Sequence, residues 1–279
     1  MILTLTLIEL KKVFCKWRTY IGFAAIGVLV PFVQTVLYFE GEHVVNSFTG
    51  RFADSFFFTG NLLNGYLIGY IVLQALFIHI PFLIVLVGSD LLAGEATAGT
   101  YRILMTRPVS RFNISLSKFI AGLFYTLVLL LWLMFVSLGV SLLIFGKGEL
   151  IVVWEKVYIF AADDVLWRFI AAYVYAFLSM SMVLTLSYLF SSMVENAIGP
   201  IVASMAVIII FIVVSSLPIE VMESIKPYLF TSYMDKWRDF FRDPIDWSII
   251  IESGLVLLAH ILGLFLITTY ILKKKDILS

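Results

Sequence analysis

The charged and polar side chains that this sequence offers to chemistry are few and concentrated. Residues 90–118, DLLAGEATAGTYRILMTRPVSRFNISLSK, carry Asp90, Glu95, Arg102, Arg107, Arg111 and Lys118. Ser55–Ser89 before them is 35 residues without a Lys, Arg, Asp or Glu, and Phe119–Gly146 after them is 28. Mixed acids and bases on a short segment suit docking against a partner rather than bond-making. Bond-making signatures are missing from the sequence. It has no GxxxxGK[ST] phosphate loop, since Gly146-Lys147-Gly148 lacks the spacing, and no HExxH metal motif. His43, His79 and His260 are scattered, and the lone Cys15 excludes an intramolecular disulfide or a cysteine-built zinc site. His79 lies in LQALFIHIPF, with Gln74 five residues before it and Pro81 two after. Gln74 and His79 are candidates for polar points on a substrate path. The alternative is a neutral imidazole bonded to a neighbouring helix, with a kink at Pro81; one polar residue per bundle commonly serves packing. His260 has the same two readings.

The elements that must position these residues are membrane helices. The chain is 62% hydrophobic and 14% charged, with a mean hydropathy of +1.04, against about 25% charged in soluble domains. A bilayer core about 30 Å thick needs roughly 20 apolar helical residues. The runs predict an all-α integral membrane fold with six spans, at 19–39, 62–88, 119–145, 169–193, 197–217 and 253–272. Only Glu195 separates the fourth from the fifth, and Asn196, Gly199 and Pro200 beside it predict a tight turn. Residues 1–16 are too short to cross and read as an interfacial helix with basic residues toward anionic headgroups, or else as a frayed tail. They do not read as a signal peptide, because the apolar stretch precedes Lys11, Lys12, Lys16 and Arg18.

Basic residues set the direction. With the N-terminus cytoplasmic, 11 Lys and Arg fall on the cytoplasmic side and 8 on the other; 5 acids fall inside and 14 outside. The positive-inside rule therefore predicts a multi-pass protein of the cell membrane with both termini and segment 90–117 in the cytoplasm. Residues 218–249 form the long extracytoplasmic loop. There, Ser232 and Asp235 resemble a capping box before a short outer-face helix around Tyr233–Phe241, ended by Pro244. The apolar stretch Leu150–Trp154 of the 147–167 loop is predicted to lie on the membrane surface.

Within the island, Ser89 is predicted to cap a short helix through Ala96, with Gly99 breaking it. Thr100 begins a second turn carrying Arg102 and Leu104, and Pro108 forbids continuation. The result is a helical knob with charges on show, suited to a groove on a soluble partner. The plainer alternative is that Arg102, Arg107, Arg111 and Lys118 only satisfy the positive-inside bias.

The string Glu95-xxx-Gly99-Thr100-x-Arg102-x-Leu104-xx-Arg107-Pro108-x-Ser110-Arg111, closing at Ser117-Lys118, resembles the first cytoplasmic loop of permease subunits of type-2 ATP-binding cassette (ABC) exporters. The likeness extends in layout to Glu9-Leu10-Lys11-Lys12 on the N-terminal helix, the six spans and the outer loop before the last. In detail it is specific over about 90–118. It implies a coupling helix between spans 2 and 3, with Glu95, Gly99, Thr100, Arg102, Arg107 and Arg111 at or near an ATPase contact. It also implies a cytoplasmic ABC ATPase subunit as partner, and a second permease subunit, identical or different. ATP and Mg would be held by the ATPase, with no cofactor on this chain. Membrane lipid is the remaining partner, and nucleic acid is not one.

The expected function is thus the non-catalytic permease subunit of an ATP-driven exporter. Uncharged spans suit an apolar or amphiphilic cargo. A non-transporting membrane anchor that recruits a soluble protein through the same loop is the alternative. A secondary transporter or intramembrane enzyme fits worst, because intramembrane carboxylates are missing from the predicted spans.

Overall fold

The computed structural model describes residues 1–49, 62–100, 109–154 and 156–275. An amphipathic helix α1 (Ile2–Cys15) opens the chain, followed by α2 (Trp17–Thr49), α3 (Gly65–Phe77), α4 (Ile80–Gly88) and α5 (Asp90–Thr97). Then come α6 (Arg111–Met134) and α7 (Val140–Phe145), joined by a π-helical turn at Phe135–Gly139. A hairpin of β1 (Leu150–Val153) and β2 (Val157–Phe160) precedes α8 (Val165–Met193) and α9 (Ile198–Ser216). The last part holds α10 (Glu220–Glu223), α11 (Thr231–Met234), a 3-10 helix at Asp235–Phe241 and α12 (Trp247–Lys274).

The architecture is that of an all-α membrane protein. Five helical stretches are long and apolar enough to cross: Trp17–Gly41, Arg111–Phe145, Val165–Met193, Ile198–Ser216 and Trp247–Lys274. The second predicted span is a broken pair, α3 and α4, bent by 51°. The cause is local. Pro81 has no N–H to give the Phe77 carbonyl, so the helix cannot run through, and Ile78 and His79 form a turn between the two pieces. Helix starts follow local chemistry. Asn64 accepts from the Tyr66 and Leu67 amides, Ser110 from Asn113, and Asp246 from Ser248 and Ile249. The caps at Ser110 and Asp246 place α6 and α12 eight and six residues earlier than the uncharged runs suggest.

Helix α8 is the axis of the bundle. Its small residues Ala172, Ala176, Ser179, Ser187 and Ser191 are all buried, which lets neighbouring backbones approach. On the far side, a side chain at Gly65 would stand 2.6 Å from the Leu142 Cα, so α3 and α7 meet backbone to backbone. The π-turn is matched by a polar contact: Gln34 of α2 donates to the Val136 carbonyl at 2.8 Å.

Helix α1 and the last turn of α12 lie at one end. Lys118 at the start of α6 pairs with Glu9 of α1, and Arg111 Nη1 donates to the carbonyls of Leu272, Lys273 and Lys275, each at 2.9 Å. The hairpin marks the other end. It corrects the expectation of an apolar stretch lying on the membrane surface: Leu150 faces Phe160 in an antiparallel pair, and Leu150, Val152 and Phe160 are buried. The run Leu-Ile-Val-Val fits a pleated, half-buried surface.

The short helix expected around Tyr233–Phe241 is present as the 3-10 helix Asp235–Phe241, but its surroundings differ from an outer-face position. This segment turns into the bundle. Tyr175 of α8 donates to the Tyr233 carbonyl at 2.8 Å, and Ser179, the midpoint of α8, donates to the Met234 carbonyl at 3.0 Å. Trp237 is 0% exposed, packed against the rings of Tyr70, Phe77 and Phe241. The capping box does not form. Helix α11 begins at Thr231, and the Ser232 hydroxyl meets Ser215 of α9 at 3.1 Å instead.

Candidate functional site

Segment 89–100 is held from two directions. Ser89 does not cap α5; its buried hydroxyl has no partner among the described residues. Ser191 of α8 does that work from across the bundle. Its Oγ accepts from the Leu92 and Ala93 amides at 3.1 and 2.9 Å and donates to the Ser89 carbonyl at 2.6 Å. Two of the amides that a helix start leaves unpaired are thereby satisfied. At the other end Gly99 adopts φ +67°, and the Thr100 amide returns to the Glu95 carbonyl at 3.0 Å. This is a left-handed helix stop, which glycine adopts without steric cost. A side chain at Gly99 would meet nothing within 4 Å, so the backbone angle alone asks for glycine.

Among the described residues, the island's Asp90, Glu95 and Lys118 are each held in ion pairs rather than displayed. Glu95 Oε1 accepts from Lys12 at 2.6 Å and Lys118 at 2.9 Å, and Oε2 accepts from the Thr100 hydroxyl. The Lys118 side chain is 1% exposed, with Glu9 Oε2 at 2.7 Å as its second carboxylate. Lys12 completes the ring with Glu9 at 3.0 Å. Beside it Asp90 binds Lys16 at 2.6 Å, with Arg18 at 3.7 Å. Two acids and two bases thus tie α1, α5 and α6 together. Burial disfavours the ionised Glu95, but the Lys118 charge and hydrogen bonds from Lys12, Thr100 and Lys118 outweigh it, lowering its pKa to about 2. Burial likewise works against protonated Lys12, and its bonds to Glu95 and Glu9 prevail, raising its pKa above 10.5.

Of the residues singled out in the sequence, Glu95 and Thr100 are bonded to each other, and Gly99 and Thr100 are exposed at the tip. Arg111 caps the end of α12. Arg102 and Arg107 lie outside the described residues. Lys118 stood in the charged island and Glu9 and Lys12 in the likeness of layout, none of them as a contact residue, and Ser191 was not singled out. Local signals for them were slight: Glu9 and Lys12 stand one helical turn apart on α1, and Lys118 sits at the border of a long apolar run.

Gln74 and His79 border different pockets. His79 Nδ1 bonds the Ala75 carbonyl of its own helix at 2.9 Å, not a neighbouring helix, and His260 does the same with Val256 at 2.8 Å. His79 borders an apolar cleft of about 440 Å³ between α2 and α3–α4. Gln74 borders a separate pocket of about 500 Å³, lined by α3–α4, α9 and residues of 226–238.

The bundle from within α2 onward, the bent α3–α4 pair and the inward-turning 231–241 segment fall within residues 26–278, which match the family described as "Protein of unknown function (DUF2705)". The chain belongs to this family. A relative described as "Uncharacterized protein YhcI", from Bacillus subtilis (strain 168), is 26% identical over 204 residues, covering 69% of this chain and 63% of that protein. This chain therefore spans less than two thirds of that relative's length. The DUF2705 match begins inside α2, so α5, Lys118 and Ser191 lie within it, while Glu9 and Lys12 of α1 precede it.

Proposed function

We propose that the chain is the membrane permease subunit of an ATP-driven ABC exporter, with the ATPase on a separate cytoplasmic chain. It forms the translocation path for an apolar or amphiphilic cargo, paired with a second permease subunit. In this reading α5 and both termini face the cytoplasm of a cell membrane, as the basic residues argue. One observation supports it above the others. Helix α5 is gripped by Ser191 of α8, by Lys118 of α6 and by Lys12 of α1. A push delivered beyond Gly99 would therefore reach the central helix, a crossing helix and the interfacial helix together. That arrangement suits an element that biases a bistable packing of helices.

The test is assembly with the candidate ATPase. The isolated chain should hydrolyse no ATP. The complex should hydrolyse ATP and expel cargo, and Gly99→Pro should uncouple hydrolysis from efflux with insertion unchanged. Tight nucleotide binding by the isolated chain, or normal efflux with Gly99→Pro, would overturn the proposal. The closure of Glu95 and Lys118 on internal partners favours one rival: a non-transporting anchor that recruits a soluble partner through the exposed tip alone. Vesicles holding the complex, loaded with cargo and showing ATP-dependent efflux, exclude it.

A further inference from the structure

We propose that the pocket between α3–α4, α9 and segment 226–238 binds a membrane lipid with an anionic phosphate headgroup. This stands independently of the exporter reading, because it is a binding property of the isolated chain. The pocket, of about 500 Å³, is within the usual range for small-molecule sites. It has two chemical halves. One is apolar: Phe77, Ile78 and Pro81 at the helix break face Ile212 of α9. Ile78 is half exposed, so this half is continuous with the lipid-facing side of the bundle. The other half is cationic. Lys226, Lys236 and Arg238 line it against a single carboxylate, Asp235.

Two of those cations are underused by the protein. Lys236 comes only within 4.0 Å of Asp239, whose carboxylate is bonded by Arg242 at 3.1 Å. Arg238 lies over the Trp154 and Trp237 rings at 5.1 and 5.7 Å, but comes only within 3.9 Å of Asp235, and its Nε is buried without a hydrogen-bond acceptor among the described residues. Lys226, by contrast, is taken by Glu223. The Gln74 amide borders the same space and bonds no described residue. Loosely paired donors beside an apolar wall have hydrogen-bonding capacity left for a ligand, and gain most from one where water is scarce. An acceptor-rich phosphate answers a lysine and a guanidinium at once. The apolar half takes the start of the lipid's tails, and the pocket has no room for a whole two-chain lipid. A soluble phosphate would leave that half unfilled.

The experiment uses the purified full chain in dodecyl maltoside micelles. Phosphatidylglycerol is added, with phosphatidylcholine and inorganic phosphate as separate arms. Bound lipid is counted by native mass spectrometry and the melting temperature followed. Phosphatidylglycerol should bind at one per chain and raise the melting temperature. Lys236→Gln should weaken binding by on the order of tenfold, Lys236→Arg should preserve it, and Gln74→Leu should weaken it without removing a charge. All three should melt like the unaltered chain when no lipid is added. Lys273→Gln, an exposed basic residue at the opposite end, should bind normally. Equal binding of phosphatidylcholine, protection by inorganic phosphate alone, no loss with Lys236→Gln, or an equal loss with Lys273→Gln would each overturn the inference.

Discussion

The two ends of the bundle use charge in opposite ways. At the end with α1, Glu9, Lys12, Glu95 and Lys118 form a closed set in which every charge has a counter-charge within 3.0 Å. At the hairpin end, segment 231–241 sends an aromatic wedge inward while Asp235, Lys236 and Arg238 stay partly exposed. Trp237 anchors it among rings, its backbone carbonyls bond Tyr175 and Ser179, and Lys236 and Arg238 are left with carboxylates 3.9 to 4.0 Å away. The first end spends its charges on holding three helices together. The second keeps some of them available to something else. Whether a charge is structural or open to a ligand is therefore decided by the partners, not by the charge.

Three perturbations separate the two ends. The largest effect is expected from Lys118→Met, which leaves Glu9 and Glu95 buried without their main counter-charge and should cost about 3–5 kcal/mol. Adding Glu9→Gln and Glu95→Gln to it should recover most of that loss in thermal unfolding in detergent, because the one charge of the set left without a partner is Lys12, whose side chain is 41% exposed. A triple variant as unstable as the single one would show that packing, not ionic closure, holds this end. Next is Trp237→Ala, expected to cost about 3 kcal/mol, near the low end for a buried aromatic because Tyr70 and Phe77 can relax into the space. Its local signature is a cysteine at Asp235 becoming faster to label, with a cysteine at Thr100 unchanged. The smallest effect is that of acid. Glu95 contributes stability that is complete above about pH 4.5 and is lost as pH falls through about 2. Lys12 contributes below 10.5 and loses its part as pH rises beyond that value. Thermal unfolding in detergent should accordingly show stability falling between about pH 4.5 and 2, and Glu95→Gln should reduce that dependence.

The sequence made the crossings legible because a bilayer requires long uncharged runs, and such runs survive inspection one residue at a time. Helix α9 at Ile198–Ser216 falls within a residue of the expected 197–217. The stop at Gly99 was legible for a similar reason, since the angle is a local property. The ionic closure was not. Lys118 finds Glu9 at a separation of 109 residues and Glu95 at 23, and no local pattern reports such distances. Ser191 capping α5 from 99 residues away is the same case. Segment 231–241 misled through its charges. Asp235, Lys236, Arg238, Asp239 and Arg242 read as solvent-facing, while Met234, Trp237, Phe240 and Phe241 recur at three- and four-residue spacing and are all buried. That spacing was the available signal. The hairpin was lost because an apolar run in a membrane chain invites a helical or surface reading before a pleated one.

The closed charge set at the α1 end has a consequence for how the protein is made. Glu9 and Glu95 both precede Lys118 in the chain, so both carboxylates already exist when the ribosome, adding about 5–20 residues per second, reaches their cation. Lys118 stands at the threshold of a crossing helix and can be neutralised as that helix enters the bilayer. Helix α1, which carries Glu9, is thereby already synthesised when its partner lysine appears. The order of synthesis and the order of assembly coincide at this one lysine.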